Sequence, residues 1–149
     1  MLHSDQVNIR PIHRDDATSV SELVTQLGYE RTPEQVRQWV DGLGSRPEQA
    51  AFIAELDGKV VAWIDVSLAW HLQSDVFGLI GGLVVSDGVR GGGIGRRLCE
   101  RAEEWSRSHG AKKIRVTSRS TREAAHRFYL RDGYQQSKIS MVFEKSLEP

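Results

Sequence analysis

Apolar residues recur along this chain with two periods, 2.0 and about 3.6 residues, and the switches between them define its elements. Val7-Asn-Ile-Arg-Pro reads as a first strand. Asp15 and Asp16 stand where they would cap a helix carrying Val20, Leu23, Val24 and Leu27, and Gly28 stops it. Thr32 and Pro33 open a second helix, with Val36, Trp39, Val40 and Leu43 on its apolar side. Ala51 to Leu56 and Lys59 to Ser67 read as strands joined by the hairpin dipeptide Asp57-Gly58. Phe77 to Val85 is a further strand, and Ile94, Leu98, Ala102 and Trp105 mark a helix over 94–109. A strand over Lys113 to Thr117, a helix over 121–131 and short strands at Tyr134 to Gln136 and Ser140 to Glu144 complete the chain. The predicted order is βααβββαβαββ in one domain, residues 1–149: hairpins first, then a β-α-β unit.

Composition narrows the function classes. Twenty Lys and Arg balance twenty Asp and Glu, so no global basic field calls for nucleic acid or an anionic membrane. The single cysteine, Cys99, excludes an intramolecular disulfide and is expected to pack as a small hydrophobe. Five scattered His and no second Cys give no metal-ligand spacing, so no metal is expected. No apolar run has the length of a membrane span, and the N-terminus lacks a basic-then-apolar signal pattern; a cytoplasmic location is the expectation.

The chemistry is concentrated in Val85-Ser-Asp-Gly-Val-Arg90-Gly-Gly-Gly-Ile-Gly95-Arg96-Arg-Leu. Here a glycine loop joins a strand end to a helix N-terminus, where backbone N–H groups lack intrahelical partners and the dipole favours an anion. The dinucleotide pattern G-x-G-x-x-G fails, because its last position falls on Arg96 or Leu98. The P-loop fails because Gly95 is followed by Arg96 rather than Lys. Arg90, Gly93 and Gly95 do fit Arg-x-x-Gly-x-Gly after Leu83-Val84-Val85. This resembles the acetyl-CoA loop of the GNAT superfamily of N-acetyltransferases. The stretch Arg122-Glu-Ala-Ala125-His-Arg-Phe128-Tyr129-Leu-Arg-Asp-Gly133-Tyr134 resembles the C-terminal signature of the same family, with Arg122 where many members have Asn.

The resemblance implies an α+β fold, a twisted mixed sheet of about seven strands flanked by about four helices. It implies acetyl-CoA as co-substrate. The pantetheine would pair with the backbone of Leu83, Val84 and Val85, and the pyrophosphate would meet Arg90, Gly91, Gly92, Gly93, Ile94, Gly95 and Arg96. Arg122 and Ala125 would complete the cofactor set, and Tyr129 would be the acid that protonates the departing thiolate.

The general base is less legible. Many members carry a Glu on the strand before the loop, but here Gly81 and Gly82 occupy that stretch and read as a bulge. Asp65, His71 and Asp75 are the nearest alternatives, with His71 favoured because imidazole as a side-chain type suits proton transfer at neutral pH; proton loss to water is another route. Trp70, His71 and Asp75, in the connection before Phe77, suit a small cationic amine, aminoglycoside-like or polyamine-like. Trp39, on the second helix, is an alternative acceptor site. Two other readings fit the same motifs: an acetyltransferase acting on protein N-termini or lysines, and a CoA-binding module without catalysis. Homodimers are common in the resembled family.

Overall fold

The computed structural model describes residues 6–89 and 91–149. Five strands form one sheet in the order β1 (Val7–Pro11), β2 (Gln49–Leu56), β3 (Lys59–His71), β4 (Ser74–Val85) and β5 (Ile114–Val116). The first four pair antiparallel, and β5 joins β4 in parallel. Two helices, α1 (Ala17–Leu27) and α2 (Pro33–Asp41), lie between β1 and β2; α3 (Ile94–Ser108) makes the crossover from β4 to β5.

Local chemistry accounts for most boundaries. Asp57 and Gly58 both take positive φ, 51° and 78°, the signature of a tight hairpin turn between β2 and β3. Thr32 and Gln35 close a capping box at the start of α2. Gly28 ends α1 in the left-handed conformation, φ 110°. Asp16 departs from the predicted cap. Its carboxylate makes no cap bond to α1 but accepts from the His13 N–H at 2.8 Å and from both Arg10 terminal nitrogens at 2.9 and 2.8 Å. That forked bond ties β1 to the turn before α1.

The two sheet faces divide along the alternation of β3. Ala62, Ile64 and Val66 are buried, and α3 packs on β3 through a face containing Leu98, Cys99 and Ala102. A Cβ at Gly78 would overlap Ser106 of α3, so this glycine allows helix and strand to approach closely. Trp63 points the other way, onto a cluster of Ala17, Val20, Val24, Val36 and Ile53 beneath α1 and α2.

The chain divides into two compact units, residues 1–117 and 118–149. The second holds α4 (Glu123–Arg131), ended by Gly133 at φ 92°. The strands predicted at 134–136 and 140–144 are not formed: residues 134–149 have no regular secondary structure, and Ile139, Met141, Val142 and Phe143 are exposed. An alternating apolar segment becomes a strand only when a neighbouring backbone pairs with it and a face receives its side chains. The sheet therefore has five strands among the described residues, not about seven.

Candidate active site

The end of β4 is the focal point. Its ladder with β3 continues to Val85↔Ala62, whereas its ladder with β5 runs only from Gly78↔Ile114 to Ile80↔Val116. β4 thus outruns its parallel neighbour at their carboxyl ends, the side where ligands enter open sheets with parallel strands. The strand end is held in place from α1. Gln26 Nε2 donates to the Val85 carbonyl at 2.8 Å, and the Asp87 N–H donates to Gln26 Oε1 at 3.3 Å. The Ser86 N–H also donates to the Val61 carbonyl at 2.8 Å.

From this anchored end the chain enters the glycine loop. Gly91 and Gly93 take φ 90° and 77°, and both are exposed. Gly93 is the N-cap of α3; having no side chain, it leaves the helix start without a side-chain cap. No acidic residue lies in the first turn, so the positive end of the helix dipole is not offset there. Ile94 and Gly95 are buried and seat this turn against the protein. A Cβ at Gly91 would meet nothing within 4 Å, so glycine is required there by backbone conformation and not by space within the protein. Gly92 is half-buried between them. Arg96 is exposed and paired with Glu100 at 3.1 Å. Arg90 lies outside the described residues.

The Gly81–Gly82 pair forms the predicted bulge: Asp65 pairs with Gly82 and Val66 with Ile80, leaving Gly81 as the extra residue. The pair makes room for two side chains of β3. A Cβ at Gly81 would overlap the Asp65 carboxylate, and one at Gly82 would stand 2.7 Å from Trp63 Cη2. Burial pushes the Asp65 carboxyl up to about 6, against the opposing effect of a hydrogen bond from the Gly81 N–H. Asp65 is half-buried, and Gly81 beside it is exposed.

His71 is not brought to this place. The predicted connection is a two-residue turn, Leu72–Gln73, so Trp70, His71 and Asp75 sit at the hairpin tip. His71 stands six residues along β3 from Asp65, about 20 Å at the usual strand rise. It stacks on Phe77 with ring centroids 5.7 Å apart. Arg115 of β5 lies over the same Phe77 ring, 4.4 Å from its centroid. Trp39 is half-buried, with Arg46 over its ring at 5.6 Å.

In the second unit, Tyr129 is half-buried on α4, edge-on to Phe128 at 5.1 Å and tilted against Tyr134 at 5.5 Å. Arg122 is the exposed N-cap of α4, and Ala125 is half-buried one turn on. Sequence reasoning named Asp65 only as one alternative among three. The double glycine was the available signal, but its partner on β3 is fixed by the register.

A strand that outruns its parallel neighbour, followed by a glycine turn into a helix without a side-chain cap, fits the fold of an acyl-CoA-type transferase. The chain belongs to the acetyltransferase (GNAT) family, whose model matches residues 10–134, and is an N-acetyltransferase. It is 34% identical over 143 residues to the aminoalkylphosphonate N-acetyltransferase of Salmonella typhimurium, spanning 93% of this chain and 90% of that one. It is 28% identical over 107 residues to an aminoglycoside N(6')-acetyltransferase of Stenotrophomonas maltophilia, spanning 68% of this chain and 70% of that one. Among solved structures, the aminoglycoside N-acetyltransferase AAC(6')-Iy in complex with CoA superposes with a TM-score of 0.83, at 16% identity, over 93% of this chain and 94% of that one.

Proposed function

We propose that the protein transfers the acetyl group of acetyl-CoA to a primary amine on a small molecule. The observation that carries this reading is that the β4–β5 ladder ends at Ile80↔Val116 while β4 runs on to Val85, ahead of the glycine turn. Acetyl-CoA supplies an activated acetyl group as a thioester. The chain's part is to hold and orient it. Backbone groups of Leu83, Val84 and Val85 offer strand-type hydrogen bonds to the pantetheine amides, and the N–H groups from Gly91 to Arg96 receive the pyrophosphate. Arg90, by its place in the sequence motif, and Arg122 and Ala125 of α4 are assigned to the same ligand. Tyr129 donates the proton that the departing thiolate needs; a phenol is neutral at pH 7 and is a competent donor.

The acceptor class rests on the relatives, which act on aminoalkylphosphonates and aminoglycosides. An amine that also carries an anion is favoured by Arg115, whose guanidinium is steadied over Phe77. Polyamines and aminoglycosides are the cationic alternatives. A homodimer, as in many family members, belongs to the same proposal and is read by light scattering.

Free-thiol release from acetyl-CoA is the test, with a panel of an aminoalkylphosphonate, an aminoglycoside, a polyamine, a free peptide N-terminus and a lysine peptide. Turnover is expected with a small amine. Turnover confined to the peptides, or CoA binding with no turnover on any amine, refutes the reading.

A further inference from the structure

The strand before the glycine loop carries no carboxylate where one would serve as base, and its two glycines leave room that the neighbouring strand fills. Gly81 and Gly82 have no side chains, the bulge pushes Gly81 out of register, and the Asp65 side chain of β3 occupies the volume a Cβ at Gly81 would need. We propose that Asp65 is the general base that takes the proton of the acceptor amine. The assignment rests on the acetyl-transfer reading above and names a residue of that site.

The geometry is suited to the task. Asp65 lies at the point along β4 where the β5 ladder has just ended, so it is beside the mouth of the gap and not at the pyrophosphate end. The Gly81 N–H bonds the carboxylate and fixes its direction, while the exposed backbone of Gly81 keeps an approach open for an amine. The facing residues of the three neighbouring strands carry no charge: Gln49, Ala51 and Ile53 on β2, Leu79 and Gly82 on β4, and Trp63 and Ser67 on β3. The charged residue of the same face on β5 is Arg115, which pairs with Leu79 and is held over the Phe77 ring. The ionisable residue of α1 is Glu22, which is exposed. With no cation beside it, the carboxyl is raised by burial to about 6, close to the pH at which it must accept a proton.

The step moves one proton from the substrate ammonium to an Asp65 oxygen. The freed lone pair forms the C–N bond as the thioester C–S bond breaks. The thiolate takes its proton from Tyr129, the second proton that the nitrogen sheds as the amide forms restores the Tyr129 phenol by way of solvent, and Asp65 returns its own proton to solvent.

Asp65→Asn tests this. CoA affinity, measured by calorimetry, should stay within about twofold of wild type, while kcat falls by about 10²–10⁴-fold, the usual worth of a general base. The wild-type kcat/KM should show an acidic limb near pH 6 that the variant lacks. Thermal stability separates this from a structural role. A carboxyl with a raised pKa contributes stability fully present below its ordinary value near 4 and lost as pH rises through about 6. Asp65→Asn should therefore melt no lower than wild type at pH 7.5. A second variant, Gly81→Ala, displaces the carboxylate without touching it chemically. It should lower kcat in the wild-type background and have little further effect in Asp65→Ala. Wild-type kcat with an intact acidic limb in Asp65→Asn overturns the assignment, as does loss of that limb in His71→Ala while Asp65→Asn keeps it. If wild type binds CoA but acetylates no amine, the functional reading fails before this one is reached.

Discussion

Gly93 is the residue on which the proposed pyrophosphate site is most exposed to a single change. It caps α3 at φ 77°, a conformation that costs an ordinary residue about 1–2 kcal/mol and that a β-branched residue scarcely adopts at all. Gly93→Val therefore forces the loop to give way, and the lost conformation must be restored when the ligand binds. At 1.4 kcal/mol per decade, a cost of about 1–2 kcal/mol raises the CoA dissociation constant at least about 5–30-fold. Gly88→Val is the matched control. It lies a few residues earlier, has an ordinary φ, and a Cβ there meets nothing within 4 Å. Calorimetric titration with CoA, together with melting curves for both proteins, reads the difference. A folded Gly93→Val protein that binds CoA within about twofold of wild type would refute the argument, because the left-handed cap would then be irrelevant to the ligand.

Tyr129→Phe keeps the ring and removes the proton, so kcat should fall about 10²–10⁴-fold at unchanged CoA affinity; stopped-time thiol release measures it, and a change under twofold excludes the acid role. Arg115→Ala should raise KM for an aminoalkylphosphonate about tenfold or more and leave KM for a polyamine near wild type, since a charge-assisted contact is worth about 1.5–3 kcal/mol. Equal effects on both amines would show that Arg115 does not read the anion. Asp16→Asn breaks the forked bond from Arg10; a fully buried pair would cost about 3–5 kcal/mol, but Arg10 is 29% exposed and keeps Glu55, so about 2 kcal/mol is expected. In wild type, burial alone would raise the Asp16 carboxyl, yet Arg10 and the His13 amide hold it below its usual range. Its contribution is therefore present above the ordinary carboxylate pKa and is lost as pH falls through the lowered value; urea unfolding at pH 7 and pH 3 should show wild type and Asp16→Asn converging in acid.

The local signals in the sequence determined a great deal. Asp57-Gly58, Thr32-Pro33 and Gly28 each act through their own backbone or side chain, so a turn, a cap and a stop were legible before any tertiary contact. The same holds for the loop over 91–95, whose glycine run and strand-to-helix context made the turn into α3 legible. The register of β3 against β4 was not local. The tight turn at Leu72–Gln73 moved His71 to the hairpin tip, and one extra residue at Gly81 set Asp65 opposite Gly82. A slip of one residue along a strand exchanges the two faces, so the position of a carboxylate in the site depends on pairing that no short window encodes. The tail shows the same limit: Ile139, Met141 and Phe143 alternate as a strand does, but alternation supplies only a face, and a strand also needs a neighbouring backbone to pair with.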